Sequence, residues 1–256
     1  MIANAAFGDN PGRWPLPTAQ SAEELWLRAV VAGGQGRYAS GYADLAYLRR
    51  VHRAGRLASL ANSTQASFLR QLGRHDEARG WDGRALATAV GDAESTADAL
   101  IGLAADALGV GRFDASSAAL GRVRGLLDGG PPRLAVRLAW VSAELAMATG
   151  DGGTAMDHAE RAVECADAFG SARHRVKSQV VLAAALCCDG RLDRSRAVAD
   201  AALDAAQQHG LVPLSWALAC LLGEIGSGNH STAKVVGIRD VSADTVRRRG
   251  GMLQDR

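Results

Sequence analysis

Aromatic residues are scarce in this chain, since phenylalanine, tryptophan and tyrosine together make up 5% of its 256 residues. Alanine is plentiful, and 48% of the residues are apolar. This combination disfavours sheets, which are enriched in aromatic and β-branched side chains, and suits closely packed helices. The apolar content is high enough for a large buried core. The composition therefore predicts an all-α protein.

Long hydrophobic runs are also missing. The longest run, from Val180 to Cys188, has nine residues, whereas a membrane-spanning helix needs about 20. Residues 1–8 lack the basic region and the long apolar run of a secretory signal peptide. The sequence predicts a cytoplasmic protein.

Cysteine and histidine are few and dispersed. The four cysteines show no CxxC spacing and no disulfide-scaffold density, so they are predicted to be small core residues in a reducing compartment. Cys187 and Cys188 are adjacent, and on a helix their side chains point about 100° apart, which does not suit chelation. The six histidines form no i, i+4 pair and no HExxH motif. No metal and no cofactor are predicted.

Positive and negative residues are nearly balanced in this chain. The formal net charge is +2, which gives no reason to invoke nucleic acid or an anionic membrane as a partner. Catalytic signatures are missing as well, because the chain has no GxSxG, Walker A or strand-following GxGxxG motif. The glycine-rich stretch 33–36 lacks the Lys-Ser/Thr of a phosphate loop. The sequence predicts no enzyme, and catalysis would need a site assembled from separate helices.

What the chain does contain is a repeated turn, typified by Gly190-Arg191-Leu192-Asp193. The turns begin at Gly36, Gly73, Gly111, Gly150, Gly190 and Gly228. Successive turn glycines are 37, 38, 39, 40 and 38 residues apart, a period typical of helical solenoids. A second series in the same phase marks predicted left-handed C-caps of the second helices: Gly55, Gly91, Gly129, Gly170, Gly210 and Gly250.

Small residues recur at two positions relative to these turns. Seven residues before the first five turn glycines stand Ala29, Ala66, Ala104, Ala143 and Ala183. Five residues after the six turn glycines stand Gly41, Ala78, Ser116, Ala155, Ser195 and Ala233. Small side chains let two helices approach closely, so these positions are predicted to face each other within each helical hairpin.

The positions of the glycines and prolines predict three regions. Residues 1–19 contain Pro11, Pro15 and Pro17 and are predicted to be an irregular leader, because proline interrupts helices. Residues 20–250 form a single repeat domain, and residues 251–256 form a tail.

The turns and the paired small residues together resemble a tetratricopeptide repeat array. The likeness covers residues 20 to about 250 and implies a right-handed α-solenoid of about six antiparallel helix pairs. Three features depart from that family: the period exceeds the usual 34 residues, the proline that closes a repeat is missing, and aliphatic residues replace most of the large aromatic ones. The long, degenerate repeats of bacterial regulatory proteins, such as the helical sensor domain of maltose-type transcriptional activators, are more similar.

The resemblance also implies where a partner would bind. In such arrays the first helix of each pair lines a concave groove, with contact positions thirteen, ten, six, three and two residues before the turn glycine. Among the charged and aromatic side chains that this frame selects, the predicted partner contacts are Trp26, Arg70, Arg137, Trp140, Glu144 and Lys177. The frame also selects the acidic residues Glu23 and Asp98. Aromatic surface beside cations is typical of interface hot spots, although Trp140 packed between repeats and solvated arginines would give the same pattern.

The C-terminal stretch 240–249 leaves an alternative open. It resembles the opening of a recognition helix in bacterial helix-turn-helix regulators, in which Ser242, Thr245, Arg247 and Arg248 would contact DNA. The sixth turn glycine instead predicts that residues 230–249 form the last solenoid helix, a polar cap with a basic end.

The sequence therefore favours a non-enzymatic scaffold or adaptor that binds an acidic or partly helical protein segment in its groove, in a bacterial regulatory pathway. The alternative is a transcriptional regulator, or its sensor domain, with ligand-sensing repeats and a DNA-contacting C-terminus. Self-association as a homodimer through a terminal repeat is a further hypothesis, because the segment 211–226 is very apolar.

Overall fold

A computed structural model describes residues 1–127 and 130–254 of the chain. Within these ranges all regular elements are helices, which confirms the all-α prediction. A short 3-10 turn, Arg124–Leu126, follows the seventh α-helix. The α-helices in chain order are α1 Ile2–Phe7, α2 Ala22–Gly34, α3 Tyr38–Val51, α4 Arg56–Gln71, α5 His75–Thr88, α6 Ala93–Gly109, α7 Phe113–Val123, α8 Pro132–Ala148, α9 Gly152–Phe169, α10 Ala172–Cys188, α11 Leu192–Gln208, α12 Val212–Ile225 and α13 Thr232–Arg248.

Helices α2 to α13 form six consecutive hairpins, from α2 with α3 to α12 with α13. The first helix of each hairpin also contacts the first helix of the next one, so these helices form an inner layer. We call α2, α4, α6, α8, α10 and α12 the inner helices, and their hairpin partners the outer helices. The result is the solenoid-like array of helix pairs that the repeat period predicted.

The hairpin turns follow the predicted chemistry. Gly190, between α10 and α11, has a φ of 77°, a left-handed conformation that residues with a Cβ rarely adopt. Beyond that turn the Ser195 hydroxyl donates a 2.7 Å hydrogen bond to the Ala183 carbonyl, which joins the two predicted small positions directly. Both residues are fully buried. Among the closing glycines, Gly129 lies outside the described residues, and the other five have positive φ.

The sixth hairpin departs from the predicted register by two residues. The positive φ lies at Gly226 instead of Gly228, and α12 ends at Ile225. A longer loop follows, and Asp200 of α11 holds it by accepting hydrogen bonds from the Ser227 hydroxyl at 2.6 Å and the Gly228 amide at 2.8 Å. As a consequence the predicted contact residue Ala233 is exposed. Val235, two residues further on, is buried in its place.

The leader is more ordered than predicted, because it contains the helix α1. At the end of this helix the Phe7 ring lies 5.7 Å from the Trp26 ring and 6.0 Å from the His174 ring. After α1 the chain is irregular, and its Pro11 carbonyl accepts a 2.7 Å hydrogen bond from the Gln35 side chain. The leader therefore packs against α2 of the first hairpin and α10 of the fifth.

The array closes on itself. Arg173 of α10 donates a 3.1 Å hydrogen bond to the carbonyl of Val30 in α2. The C-terminal segment, residues 249–254, completes the closure: the Ala39 amide donates to the Arg249 carbonyl at 3.0 Å, and the Gln254 amide donates to the Leu72 carbonyl at 3.0 Å. We call these contacts, together with those of Phe7, the seam. The inner helices consequently surround an interior instead of lining an open groove.

In residues 1–127 and 130–254, no helix combines the length and the apolarity that a bilayer crossing requires.

Replacing Asp200 by alanine should lower the free energy of unfolding by about 2 kcal/mol, because hydrogen bonds to a charged acceptor contribute about 1.5–3 kcal/mol each and the freed loop amides regain water. Urea unfolding would measure the change. The control is Asp244→Ala on the outer surface of α13, which should change stability by less than about 0.5 kcal/mol. Equal effects of the two substitutions would contradict the assigned role of Asp200.

Candidate functional site

The inner helices line a small cavity of mixed polar and apolar character, which we call the core cavity. Its volume is about 50 Å³. One buried water needs a cavity volume of about 10–15 Å³, so the core cavity could hold a few waters or one small polyatomic group. Five inner helices and the leader contribute its lining: Phe7, Trp26, Val30, Gly33, Ser63, Thr64, Ser67, Phe68, Gln71, Asp98, Arg133, Arg137, Arg173 and His174.

Arginine dominates the charge of this lining. Arg133 near the start of α8 donates to Asp98 at 3.0 Å and to Glu94 at 2.8 Å. Glu94 is shared, because it also accepts a 2.6 Å hydrogen bond from Arg56. Arg137, one turn further along α8, is ion-paired with Asp98 as well. A single lining carboxylate therefore faces two guanidinium groups.

Arg173 adds a third guanidinium group. Its Nη1 donates to the Val30 carbonyl at 3.1 Å. Within residues 1–127 and 130–254, no carboxylate lies at ion-pair distance from it. Arg173 is partly buried, and a carbonyl compensates a guanidinium group for lost hydration less well than a carboxylate does. The core cavity is thus lined by three arginines and one aspartate.

Burial and, to a smaller extent, neighbouring cations lower the pKa values of three basic side chains in this lining. Burial, together with the charge of Arg70, lowers the pKa of Arg137 to about 10. Burial, together with the charge of Arg133, lowers the pKa of Arg173 to about 10. Burial and the nearby arginines also hold the pKa of His174 well below its ordinary value, so its imidazole is neutral at pH 7. Burial is the largest cause of all three shifts, and the neighbouring arginines add to it.

Neutral polar groups hold the remaining walls in place. The Trp26 indole donates to the Thr64 hydroxyl at 3.0 Å, and the Arg133 guanidinium lies 5.5 Å above the Trp26 ring. Gln71 accepts a 3.2 Å hydrogen bond from the Tyr38 hydroxyl. These contacts join several helices, so the side chains around the cavity are already oriented in the absence of a ligand.

Arg70 forms a separate ion triad beside the core cavity. Its Nη1 donates to Asp106 at 2.9 Å and is also paired with Asp82. Both carboxylates are fully buried, and Asp82 also accepts a 3.0 Å hydrogen bond from the Ser63 hydroxyl. Burial, opposed in part by Arg70, raises the pKa of Asp82 to about 7. The two carboxylates therefore share one guanidinium group in a dry interior.

The other predicted groove residues form a second cluster, between α8 and α10. The Trp140 indole donates to the Ser178 hydroxyl at 2.8 Å, and its ring stacks on His174 at 5.4 Å. Lys177 is paired with Glu144 at 3.0 Å and lies 5.8 Å from the centre of the Trp140 ring. Lys177 and Glu144 remain about one-third exposed.

The structure thus places all six predicted residues on or between the inner helices, but it directs several of them inward. Trp26 and Trp140 are only 4% and 8% exposed, and the Arg70 and Arg137 side chains are 11% and 19% exposed. The expectation that these groups line an open concave surface is corrected, because the seam closes that surface. Their partners are other side chains of the same chain.

Sequence reasoning missed Arg133, Arg173 and His174. The groove frame stopped thirteen residues before the turn glycine, whereas Arg133 and Arg173 both stand seventeen residues before theirs, one helical turn earlier. Arg56 and Glu94 occupy the same position in the second and third repeats. Extending the set of groove positions by one helical turn would have included the residues of the ion-pair chain Arg56–Glu94–Arg133 in the interior.

The alternative DNA-contacting residues lie on one continuous helix, α13, with no turn before them. Ser242 is buried, and its neighbour Val246 belongs to the hydrophobic cluster of the first hairpin. Arg247 is exposed and pairs with Asp244 at 2.6 Å, while Arg248 donates to Thr245 at 3.0 Å. Ser242 therefore faces the protein, as expected for the last helix of the array.

Comparison with known proteins assigns no relationship: no protein-family model and no curated protein matches the chain. In the part of the chain that the structure describes, no three His, Cys, Asp or Glu side chains gather as a metal site would require.

The raised pKa of Asp82 predicts a pH dependence of stability. A carboxyl whose pKa is about 3.8 when unfolded and about 7 when folded takes up a proton on folding between those values. The stabilisation that this proton uptake adds to the free energy of unfolding is therefore complete below about pH 4 and is lost as the pH rises towards 7. The free energy of unfolding changes by at most about 1.4 kcal/mol per pH unit in this interval.

Urea unfolding at a series of pH values between about 4.5 and 7.5 would measure this slope. This range covers most of the interval between the unfolded and the folded pKa of Asp82. Relative to Asp82→Asn, the unsubstituted protein should lose stability as the pH rises. Asp114→Asn, an exposed position on α7, should follow the unsubstituted protein at every pH. Parallel pH profiles for the unsubstituted protein and Asp82→Asn would show that Asp82 does not titrate in this range.

Proposed function

We propose that this chain is a non-enzymatic, ligand-sensing helical-repeat protein that binds a small oxyanion in its core cavity. The ligand is a phosphate, a sulfate or a compact carboxylate. The observation that carries the proposal is the convergence of Arg133, Arg137 and Arg173 on one small cavity with one lining carboxylate, Asp98. Guanidinium groups present planar pairs of donors that match oxyanions.

A bound oxyanion would remove the electrostatic deficit of the interior. It would supply Arg173 with a charged partner and relieve the repulsion among the three guanidinium groups. The cavity volume of about 50 Å³ suits one such group. Because the arginines come from α8 and α10 and the opposite wall from α2 and α4, the ligand would hold both sides of the seam together. This coupling of occupancy to ring closure is what a sensor needs.

An extended peptide fits this interior less well than a compact anion. To lie along the inner helices, a peptide would have to break the Arg133–Asp98 pair and displace the buried Trp26, since the remaining space holds only a few atoms. The peptide-scaffold hypothesis therefore requires either an opened ring or the outer surface. The likeness to repeat domains of bacterial regulators supports the sensor alternative better than the adaptor.

The proposal predicts stabilisation by phosphate. Saturating phosphate at one hundredfold excess over Kd should add about 2.7 kcal/mol to the free energy of unfolding, which raises the Tm of a chain of this size by several degrees. Thermal unfolding should be recorded in phosphate and in chloride at equal ionic strength, because screening alone changes surface electrostatics.

The matched variants lie two residues apart on α10. Arg173→Gln removes the cation that has no carboxylate and should abolish most of the phosphate-specific increase in Tm. Arg175→Gln removes an arginine on the outside that pairs with Asp9 at 3.3 Å, and it should leave the increase intact. An equal increase in all three proteins would identify a general salt effect and would refute the proposed site.

A further inference from the structure

A second, larger pocket lies where the C-terminal segment crosses the array, and we call it the tail pocket. Its volume is about 370 Å³, within the range of small-molecule sites. Gln71 belongs to its lining and to that of the core cavity, so this side chain separates the two spaces. The lining comes from α4, α5, α6, α12, one turn and the C-terminal segment: Arg70, Gln71, Leu72, Gly73, His75, Gly109, Trp216, Leu253 and Gln254.

Unused hydrogen-bonding capacity is concentrated at this pocket. In the described residues, five buried side-chain polar atoms have no hydrogen-bond partner. Two of them, Arg70 Nη2 and His75 Nδ1, belong to residues that line the tail pocket. A third, Asp106 Oδ2, belongs to the ion triad of Arg70. Buried polar atoms without partners are rare in folded proteins, so their clustering beside a pocket makes this pocket a candidate binding site.

The charge around the pocket favours a neutral ligand. Asp82 and Asp106 already balance the guanidinium of Arg70, so the site has no excess positive charge to offer an anion. Burial lowers the pKa of His75, and its imidazole is neutral at pH 7. Arg70 Nη2 can only donate, whereas a neutral imidazole nitrogen can donate or accept. The ligand must therefore present at least one hydrogen-bond acceptor.

The apolar part of the lining favours a flat molecule. Trp216 is half-buried and borders the pocket, and an indole offers a rigid surface for ring stacking. Leu72 and Leu253 contribute aliphatic surface on other sides. Gly109 makes room for this arrangement, since a Cβ at that position would lie 2.2 Å from His75 Nδ1.

We propose that the tail pocket binds a neutral planar heterocycle bearing ring-nitrogen or carbonyl acceptors, the chemistry of a purine base. The ring packs on Trp216, and its acceptors meet Arg70 Nη2 and His75 Nδ1. Leu253 and Gln254 cover the ligand, held by the hydrogen bond from the Gln254 amide to the Leu72 carbonyl. This site goes beyond the oxyanion site, because its proposed ligand contacts, Trp216, Arg70 and His75, do not line the core cavity and its ligand class is different.

Adenosine is the probe, titrated into the full chain by isothermal calorimetry in chloride buffer without phosphate. Saturable binding is expected, with at least a tenfold loss of affinity in Trp216→Ala and in His75→Ala. Trp81→Ala, on the outer helix α5 beneath Arg49 and Arg84, is the matched tryptophan control and should bind as the unsubstituted protein does. Removing residues 253–256 should weaken binding by shortening the residence time of the ligand.

A measurement without substitutions guards against variants that fail to fold. In the unsubstituted protein, adenosine should shift the imidazole nitrogen resonances of His75 and leave those of the partly exposed His158 on α9 unchanged. No saturable binding, or binding with equal affinity in Trp216→Ala and Trp81→Ala, would overturn the proposal, as would an unchanged His75 resonance at saturation. Because phosphate is absent throughout, each of these results is independent of the oxyanion site.

Discussion

Closure at the seam is the constraint on which the rest of this structure depends. The hydrogen bond from Arg173 to the Val30 carbonyl and the packing of Phe7 between the first and fifth hairpins bring α2 and α10 together. Without that contact the inner helices would face water, and their arginines would be ordinary solvated cations. With it, they become buried groups whose charge must be matched inside the protein.

The fold was largely predictable because each hairpin is specified locally. A glycine turn and two small residues at fixed distances determine the close approach of helices, as the contact between Ser195 and Ala183 shows. The sixth register was wrong by two residues because Asp200, a residue of the previous hairpin, stabilises a longer loop. A pattern counted from Gly228 considers only residues of its own repeat. It does not include Asp200, the hydrogen-bond acceptor that lies 28 residues earlier.

The candidate sites were predictable only in part. Period and turn placed Trp26, Arg70 and Arg137 on the inner helices, but their environment depends on closure, which involves residues 143 and 214 positions apart. The charged residues seventeen positions before the turn glycines could have been recognised in the sequence. They are Arg56, Glu94, Arg133 and Arg173, whose charges alternate except between the last two. The tail pocket could not be predicted from the sequence, because four separate stretches of the chain assemble it: residues 70–75, Gly109, Trp216 and residues 253–254.

Closure also changes how such an array acquires its structure. Helical repeats ordinarily form through contacts between neighbours, so their assembly can begin at any hairpin and spread. Here the final contacts join Gln35 with Arg249 and Leu72 with Gln254, pairs that are far apart in sequence and entropically expensive to bring together. An otherwise modular chain thereby gains an all-or-none last step, and a loss of cooperativity among its repeats would be the first sign of an open seam.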